Sequence, residues 1–216
     1  MQSSWGFSMS DITSKVSEAL FASGCLEFGT FRIKSGATSP YYIDLAKLLS
    51  FPQRLCDIAE IVAREMENLM RTERIDKLAS IELKGALLLP SIGCKLHLPC
   101  VIVRKQEKSY GATGRIAGAE VAGGDRILFF DDVVSEGLSK VEGIKPLEKL
   151  GAKVKNVMIV VDREQGGRAA LEKLGYKVKA LTTITEMADN LLQNSCITEE
   201  QAMSVREYVK TSKEHH

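Results

Sequence analysis

The stretch RILFFDDVVSEGLSK, residues 126–140, decides the fold class of this chain. Residues 127–130 are continuously apolar and bounded by charge, a pattern typical of a strand covered on both faces of a parallel sheet. Asp131 and Asp132 follow at its carboxyl end, where open α/β sheets bind their ligands. Apolar residues then recur at helical spacing up to Gly151. The stretch therefore predicts a strand, a short loop and a helix.

The loop between this strand and helix is a candidate anion site. A helix N-terminus offers unpaired N–H groups and the positive end of a dipole, and Ser135 and Ser139 add hydroxyls. The two aspartates would repel a phosphate, but they suit the hydroxyls of a ribose or a bound Mg²⁺. A strand that ends in two solvated aspartates before an ordinary helix cap remains an open alternative.

This segment resembles the diphosphoribosyl-binding motif of the type I phosphoribosyltransferase family. That motif has an apolar strand, two acidic residues, two aliphatic residues and a loop that contains Thr or Ser and Gly. The resemblance implies that Asp131 and Asp132 hold a ribose and that the following loop holds a 5′-phosphate. The loop residues are Ser135, Glu136, Gly137, Leu138 and Ser139.

Four further segments are similar, in the same order, to the orotate-specific members of that family. They are FGTFRIKSGATSPYYID (28–44), IELKGALLLP (81–90), VRKQEKSYG (103–111) and VDREQGG (161–167). The resemblance implies a hairpin near the base, a pyrophosphate-side loop, a catalytic loop and a turn whose arginine contacts the orotate carboxylate. The implied catalytic residues are Arg104, Lys105, Lys108, Asp131 and Asp132. The implied substrate contacts are the 135–139 loop with Lys34, Tyr41, Tyr42, Lys84, Tyr110 and Arg163.

Basic residues cluster at the start of a polar, glycine-rich stretch. Arg104, Lys105, Lys108 and Arg115 stand close together in the sequence, and residues 109–124 show no hydrophobic period. We therefore expect a mobile loop whose cations close over pyrophosphate and stabilise its charge as it departs. A solvated basic loop is the alternative.

Three other basic residues have structural alternatives. Arg163 follows the apolar run 157–161, so its planar guanidinium could bind a carboxylate at a strand end or pair with Asp162 or Glu164. Lys34 could equally be a surface lysine of an edge strand, and Lys84 a surface residue at a helix start.

The chain departs from the family pattern at three places. Glu136 occupies the middle of the phosphate loop, where a carboxylate that pointed inward would repel the phosphate. Tyr110 replaces the usual loop histidine, so the donor there has a pKa near about 10. Ser80 and Glu82 replace the glycine or small aromatic run that usually precedes the Lys-Gly pair.

Composition narrows the cellular setting. The chain has 216 residues and a net charge of +1, which argues against a nucleic-acid or membrane-surface binder. Five scattered cysteines suit reduced thiols in a cytoplasm and form no zinc pattern. No apolar stretch reaches about 18 residues, so we expect no transmembrane helix. The first residues lack the pattern of a signal peptide.

The pattern of elements predicts an α/β fold: a mainly parallel sheet flanked by helices, with a small N-terminal hood. We expect one domain over residues 1–216, with the hood over about 10–50, the core over about 51–195 and C-terminal helices to 216. The coarse strands of the core are 78–81, 100–104, 127–131, 154–161 and 178–184.

The resemblance implies an enzyme that transfers a phosphoribosyl group from phosphoribosyl pyrophosphate to orotate, giving orotidine 5′-monophosphate in pyrimidine biosynthesis. It implies Mg²⁺, bound through the substrate with Asp131 and Asp132 as candidate protein ligands. It also implies a homodimer in which Lys105 reaches the neighbouring site. The alternatives are a non-catalytic, nucleotide-binding regulatory relative and an enzyme for another base.

Overall fold

The structure is a computed structural model that describes residues 8–33, 36–108 and 114–214, with only the main chain described for Lys108, Lys213 and Glu214. The hood consists of α1 (Met9–Ala22) and an antiparallel hairpin of β1 (Leu26–Arg32) and β2 (Thr38–Ile43). A 3₁₀ helix, Leu45–Ser50, leads into the core. The hairpin predicted from residues 28–44 is therefore present.

The core alternates helices and strands as predicted. Its elements are α2 (Pro52–Met70), β3 (Lys77–Ile81), α3 (Lys84–Leu96), β4 (Cys100–Lys108), β5 (Gly114–Gly118), β6 (Arg126–Val134), α4 (Leu138–Lys149), β7 (Lys153–Asp162), α5 (Gly167–Lys173) and β8 (Lys177–Thr183). Two further helices follow, α6 (Ile184–Gln193) and α7 (Glu199–Glu214).

One six-stranded sheet organises the core, with the strand order β5-β4-β3-β6-β7-β8. Every neighbouring pair in it is parallel except β4 with β5. The carboxyl ends of β3, β4, β6 and β7 therefore meet at one edge, and the turns that follow β3, β6 and β7 lead directly into helices. This confirms the predicted mainly parallel α/β fold.

The sheet is covered on both faces. Along β6, Phe130 faces a cluster that also contains residues of the hood and of α2, α6 and α7. Phe129 faces the opposite cluster, which contains Ile144 and Leu147 of α4. Both phenylalanines are fully buried. The continuous apolar run at residues 127–130 reflects this double coverage.

Two predicted boundaries were wrong in an informative way. The strand predicted to end at Asp131 continues to Val134, because its pairing with β7 persists to Val134 opposite Asp162. The stretch 109–124, predicted to be a loop, contains β5, which pairs antiparallel with the edge strand β4. β4 itself extends past Arg104 to Lys108. An edge strand with glycines at both ends has no hydrophobic period, so pairing alone defines it.

No helix within residues 8–33, 36–108 and 114–214 is long and apolar enough to cross a membrane.

Helix α4 approaches the sheet closely at Gly143. A Cβ added there would lie 2.6 Å from Phe129 Cζ and 3.0 Å from Ile81 Cβ. We predict that Gly143→Ala lowers the free energy of unfolding by about 1–3 kcal/mol, because overpacking outweighs the better helix propensity of alanine. Urea denaturation measures this, with Lys145→Ala on the exposed side of α4 as the control. Equal effects of the two substitutions would contradict the close packing.

Candidate active site

The two aspartates of β6 are both buried but have different surroundings. Asp131 and Asp132 are 4% and 6% exposed. Asp131 Oδ2 forms an ion pair with Lys140 Nζ of α4 at 2.8 Å, and its Oδ1 accepts the N–H of Asp132 at 3.0 Å. Asp132 has no ion-pair partner among the residues that the structure describes. Successive strand residues point to opposite faces, so the pair is divided by the pleat of β6.

The charge of Asp132 is held at a cost. Burial and the neighbouring carboxylate of Asp131 raise the pKa of Asp132 to about 7, while Lys140 acts in the opposite direction. A buried carboxyl group whose pKa approaches neutrality is typical of functional sites. A ligand that donates hydrogen bonds to Asp132 would stabilise its ionised form.

The loop after β6 has the geometry of an anion site. Gly137 adopts a left-handed conformation with a φ of 83° and forms the N-cap of α4. No side chain within the described residues caps this helix end, so its N–H groups are available to a ligand. Ser135 and Ser139 are partly buried, whereas Glu136 and Leu138 are exposed. The helix N-terminus predicted over residues 135–139 is thus present.

The turn after β7 is braced against this loop. The N–H of Arg163 donates to the carbonyl of Val134 at 2.9 Å, and that of Gly167 donates to Ser135 O at 2.7 Å. A Cβ on Gly137 would lie 2.9 Å from Gly167 O. Side chains at these two glycines would separate the turns. The anion loop and the Arg163 turn therefore form one unit.

Arg163 is oriented by the hood. Its Nε donates to Tyr41 Oη at 3.2 Å, and its guanidinium carbon lies 5.0 Å from the centre of the Tyr41 ring. Asp162 and Glu164, the alternative ion-pair partners, accept hydrogen bonds from the main-chain N–H groups of Glu164 and Thr185 at 2.8 and 3.1 Å. Tyr41 is fully buried, so its place is behind the arginine. Burial raises the pKa of Tyr41, which keeps the hydroxyl protonated.

The turn after β3 connects the hood to the acidic pair. Lys84, the first residue of α3, forms an ion pair with Asp44 at 3.1 Å, and its Nζ lies 5.9 Å from the ring centre of Tyr42. The next residue, Gly85, packs on β6: a Cβ there would lie 2.9 Å from Asp131 Cα and would overlap Asp131 Oδ1. Lys84 is thus more than a solvated residue at a helix start.

The predicted basic residues lie on paired strands. Arg104 Nη1 donates to Gly114 O at 3.0 Å, and Arg115 Nε donates to Arg104 O at 2.9 Å. The main chain of Lys105 is anchored by Glu82 at 2.6 Å while its side chain is exposed. Lys34, Tyr110 and the side chain of Lys108 lie outside the described residues.

Lys140 is the residue that sequence reasoning missed. It is 6% exposed and reaches the acidic pair from the second helical position of α4. The available signal was its spacing, because Lys140, Ile144 and Leu147 fall at i, i+4 and i+7 on the buried face of the helix. A lysine on an apolar stripe requires a buried partner.

Comparison with known proteins gives a consistent result. No family model matches the chain. The orotate phosphoribosyltransferase of Pyrococcus abyssi is 36% identical over 165 residues, which cover 76% of this chain and 89% of that protein. The UMP synthase structure of Leishmania donovani has a TM-score of 0.81 and 31% identity, covering 94% of this chain and 43% of that one. The orotate phosphoribosyltransferase structure of Aeropyrum pernix has a TM-score of 0.67 and 23% identity, covering 85% and 99%.

We predict that Asp132→Asn raises the melting temperature more at pH 8 than at pH 5. The folded-state pKa of Asp132 lies above its ordinary value of 3.8. The unfolded chain therefore holds fewer protons between these two values, and stability falls as the pH rises through about 7. Asparagine removes that loss because it cannot ionise. Thermal melts at the two pH values measure this, with the exposed Asp57→Asn as the control. A gain that is equal at both pH values would argue against the raised pKa.

Proposed function

The chain belongs to the orotate phosphoribosyltransferase family, and we propose that its site transfers a phosphoribosyl group from phosphoribosyl pyrophosphate to orotate. The products are orotidine 5′-monophosphate and pyrophosphate, in the biosynthesis of pyrimidine nucleotides. One observation carries the proposal: a buried acidic pair, an uncapped helix N-terminus and an oriented arginine lie on adjacent turns at one edge of the sheet.

The phosphoribosyl group fits the acidic pair and the adjacent loop. The carboxylates of β6 accept hydrogen bonds from the ribose hydroxyls, as a vicinal diol requires. The N–H groups at the start of α4, with the hydroxyls of Ser135 and Ser139, hold the 5′-phosphate. Glu136 is exposed, so its carboxylate can remain in solvent, where repulsion of the phosphate is weak.

Arg163 binds the carboxylate of orotate. Its Nε is engaged by Tyr41, which leaves the two terminal NH₂ groups for a bidentate contact with a carboxylate. Tyr42, partly exposed beside Lys84, stands at the hood side of the same space. Lys34 is proposed to approach the base from the same hairpin, on the strength of the resemblance of residues 28–44.

Pyrophosphate leaves toward the basic residues. Lys84, Arg104, Lys105, Lys108 and Tyr110 are proposed to bind it and to offset its charge as the anomeric carbon acquires oxocarbenium character. The anionic ring nitrogen of orotate then attacks that carbon, the bond to pyrophosphate oxygen breaks, and no strong general base is required. Arg104 supports this role through its anchored position on β4.

Magnesium is proposed as the cofactor. No group of three metal-ligating side chains occurs within the described parts of the chain, which fits an ion held mainly by substrate oxygens. Asp132 is the carboxylate available to it, since Asp131 is engaged by Lys140. The ion would neutralise the pyrophosphate and so favour its departure.

We further propose a cytoplasmic homodimer that binds these small molecules and no nucleic acid. The exposed side chain of Lys105 supports a reach into the neighbouring site, and the net charge of +1 offers no broad cationic surface. All five cysteines, each within the described residues, are free thiols, which supports a reducing compartment. Sedimentation analysis of the full chain tests the dimer.

We predict that the protein consumes orotate when phosphoribosyl pyrophosphate and Mg²⁺ are added, as followed by loss of orotate absorbance. Asp132→Asn and Lys108→Ala should each lower kcat/KM by at least about 100-fold, because they remove a ribose contact and a pyrophosphate cation. The exposed Lys145→Ala is the control. A folded wild-type protein that binds phosphoribosyl pyrophosphate without turnover would support the regulatory alternative.

We predict that Arg163→Lys raises the KM for orotate by about 10- to 100-fold, because an ammonium cannot replace the bidentate fork. Tyr41→Phe should raise it by a smaller factor, since the arginine stays but loses its anchor. The KM for phosphoribosyl pyrophosphate should change little in both variants. Arg168→Lys and Tyr176→Phe are matched controls away from the site. An unchanged KM for orotate in Arg163→Lys would remove Arg163 from the orotate contacts.

A further inference from the structure

Lys140 has a complete set of buried hydrogen-bond acceptors. Its ammonium contacts Asp131 Oδ2 at 2.8 Å and Ser139 Oγ at 3.2 Å, and it also donates to the carbonyl of Val133. An ammonium group has three N–H donors, so all three are used. The side chains of Lys140 and Asp131 are 7% and 5% exposed. This is a fixed contact and not a fluctuating surface pair.

The contact occupies the carboxylate of Asp131 on both sides. Lys140 takes Oδ2, the N–H of Asp132 takes Oδ1, and Gly85 closes over the same oxygen from α3. A ribose hydroxyl would have to displace or share one of these partners. Asp132, on the opposite face of β6, has no ion-pair partner in the described chain and faces no such competition.

The same lysine spans the anion loop. Val133 lies before residues 135–138 and Ser139 lies after them, so the ammonium joins the end of β6 to the first turn of α4. Exchanging a buried ion pair for apolar side chains is often neutral or stabilising, so such a pair is weak evidence of a role in stability. Its location suggests a role in geometry.

We propose that Lys140 is a positioning residue that withdraws Asp131 from the ligand set and fixes the anion loop, so that Asp132 alone presents a carboxylate to the ribose. This proposal rests on the proposed function of the site and divides the acidic pair into a substrate contact and a structural counterion. Lys140 touches no substrate atom. Its effect is transmitted through Asp131 and Ser139.

A double-mutant cycle tests the proposal. Lys140→Met, Asp131→Asn and the double variant are compared with the wild type by calorimetric titration with phosphoribosyl pyrophosphate and Mg²⁺, and by KM and kcat with orotate. Lys140→Met leaves the Asp131 carboxylate buried and unpaired, so we expect an increase of about tenfold or more in the Kd for phosphoribosyl pyrophosphate. The double variant buries no unpaired charge, so its Kd should fall at least about fivefold below that of Lys140→Met.

The opposite result is distinct. If Asp131 binds the ribose directly, adding Asp131→Asn to Lys140→Met removes another contact, and the Kd rises further. That result, or a wild-type Kd in Lys140→Met, would overturn the proposal. If Lys140→Met does not fold, the comparison of Asp131→Asn with the double variant gives the same reading, since the double should bind more tightly.

Three controls separate this test from other failures. Lys145→Met lies on the exposed face of α4 and should bind like the wild type. A merely structural pair would lower the melting temperature and leave both Kd and KM unchanged. Calorimetry reports binding of phosphoribosyl pyrophosphate without catalysis, so absence of orotate turnover in the wild type would refute the proposed function while the cycle remained readable.

Discussion

The parallel pairing of β6 with β7 beyond the acidic pair holds the site together. The ladder continues to Val134 opposite Asp162, and main-chain bonds from Arg163 and Gly167 then extend it across the two following turns. The ribose, phosphate and carboxylate contacts are thereby fixed on one rigid frame. Hydrogen bonds between main-chain atoms set the spacing of these contacts, so the side chains need only supply chemistry.

Close approach of the turns is the second constraint. Gly85, Gly137 and Gly167 stand where a Cβ would meet a neighbouring main-chain or catalytic atom. Gly137 also needs its left-handed conformation. Sequence motifs that look like flexible loops are here tightly packed turns, and the glycines serve contact rather than mobility.

The sequence predicted the elements whose signal is local. The apolar runs at 127–130 and 157–161, each covered on both faces, gave the central strands, and the hairpin and helix starts were also placed. What it missed depends on tertiary partners. β5 exists because β4 offers an edge, and the difference between Asp131 and Asp132 arises because a helix contacts only one face of the strand. Lys140 was overlooked because its partner lies nine residues away on another element.

The aromatic contacts behind Arg163 continue into the last helix. The Tyr41 ring packs edge-on against that of Tyr208 in α7 at 5.8 Å, and Gln165 donates to the Tyr208 hydroxyl at 3.2 Å. Recognition of the base thus has its own support, apart from the β6 acids and the α4 loop that handle the sugar phosphate. Substitutions in α7 could retune which acceptor is preferred while sparing the bond-breaking machinery, so base selectivity and turnover can evolve separately in this fold.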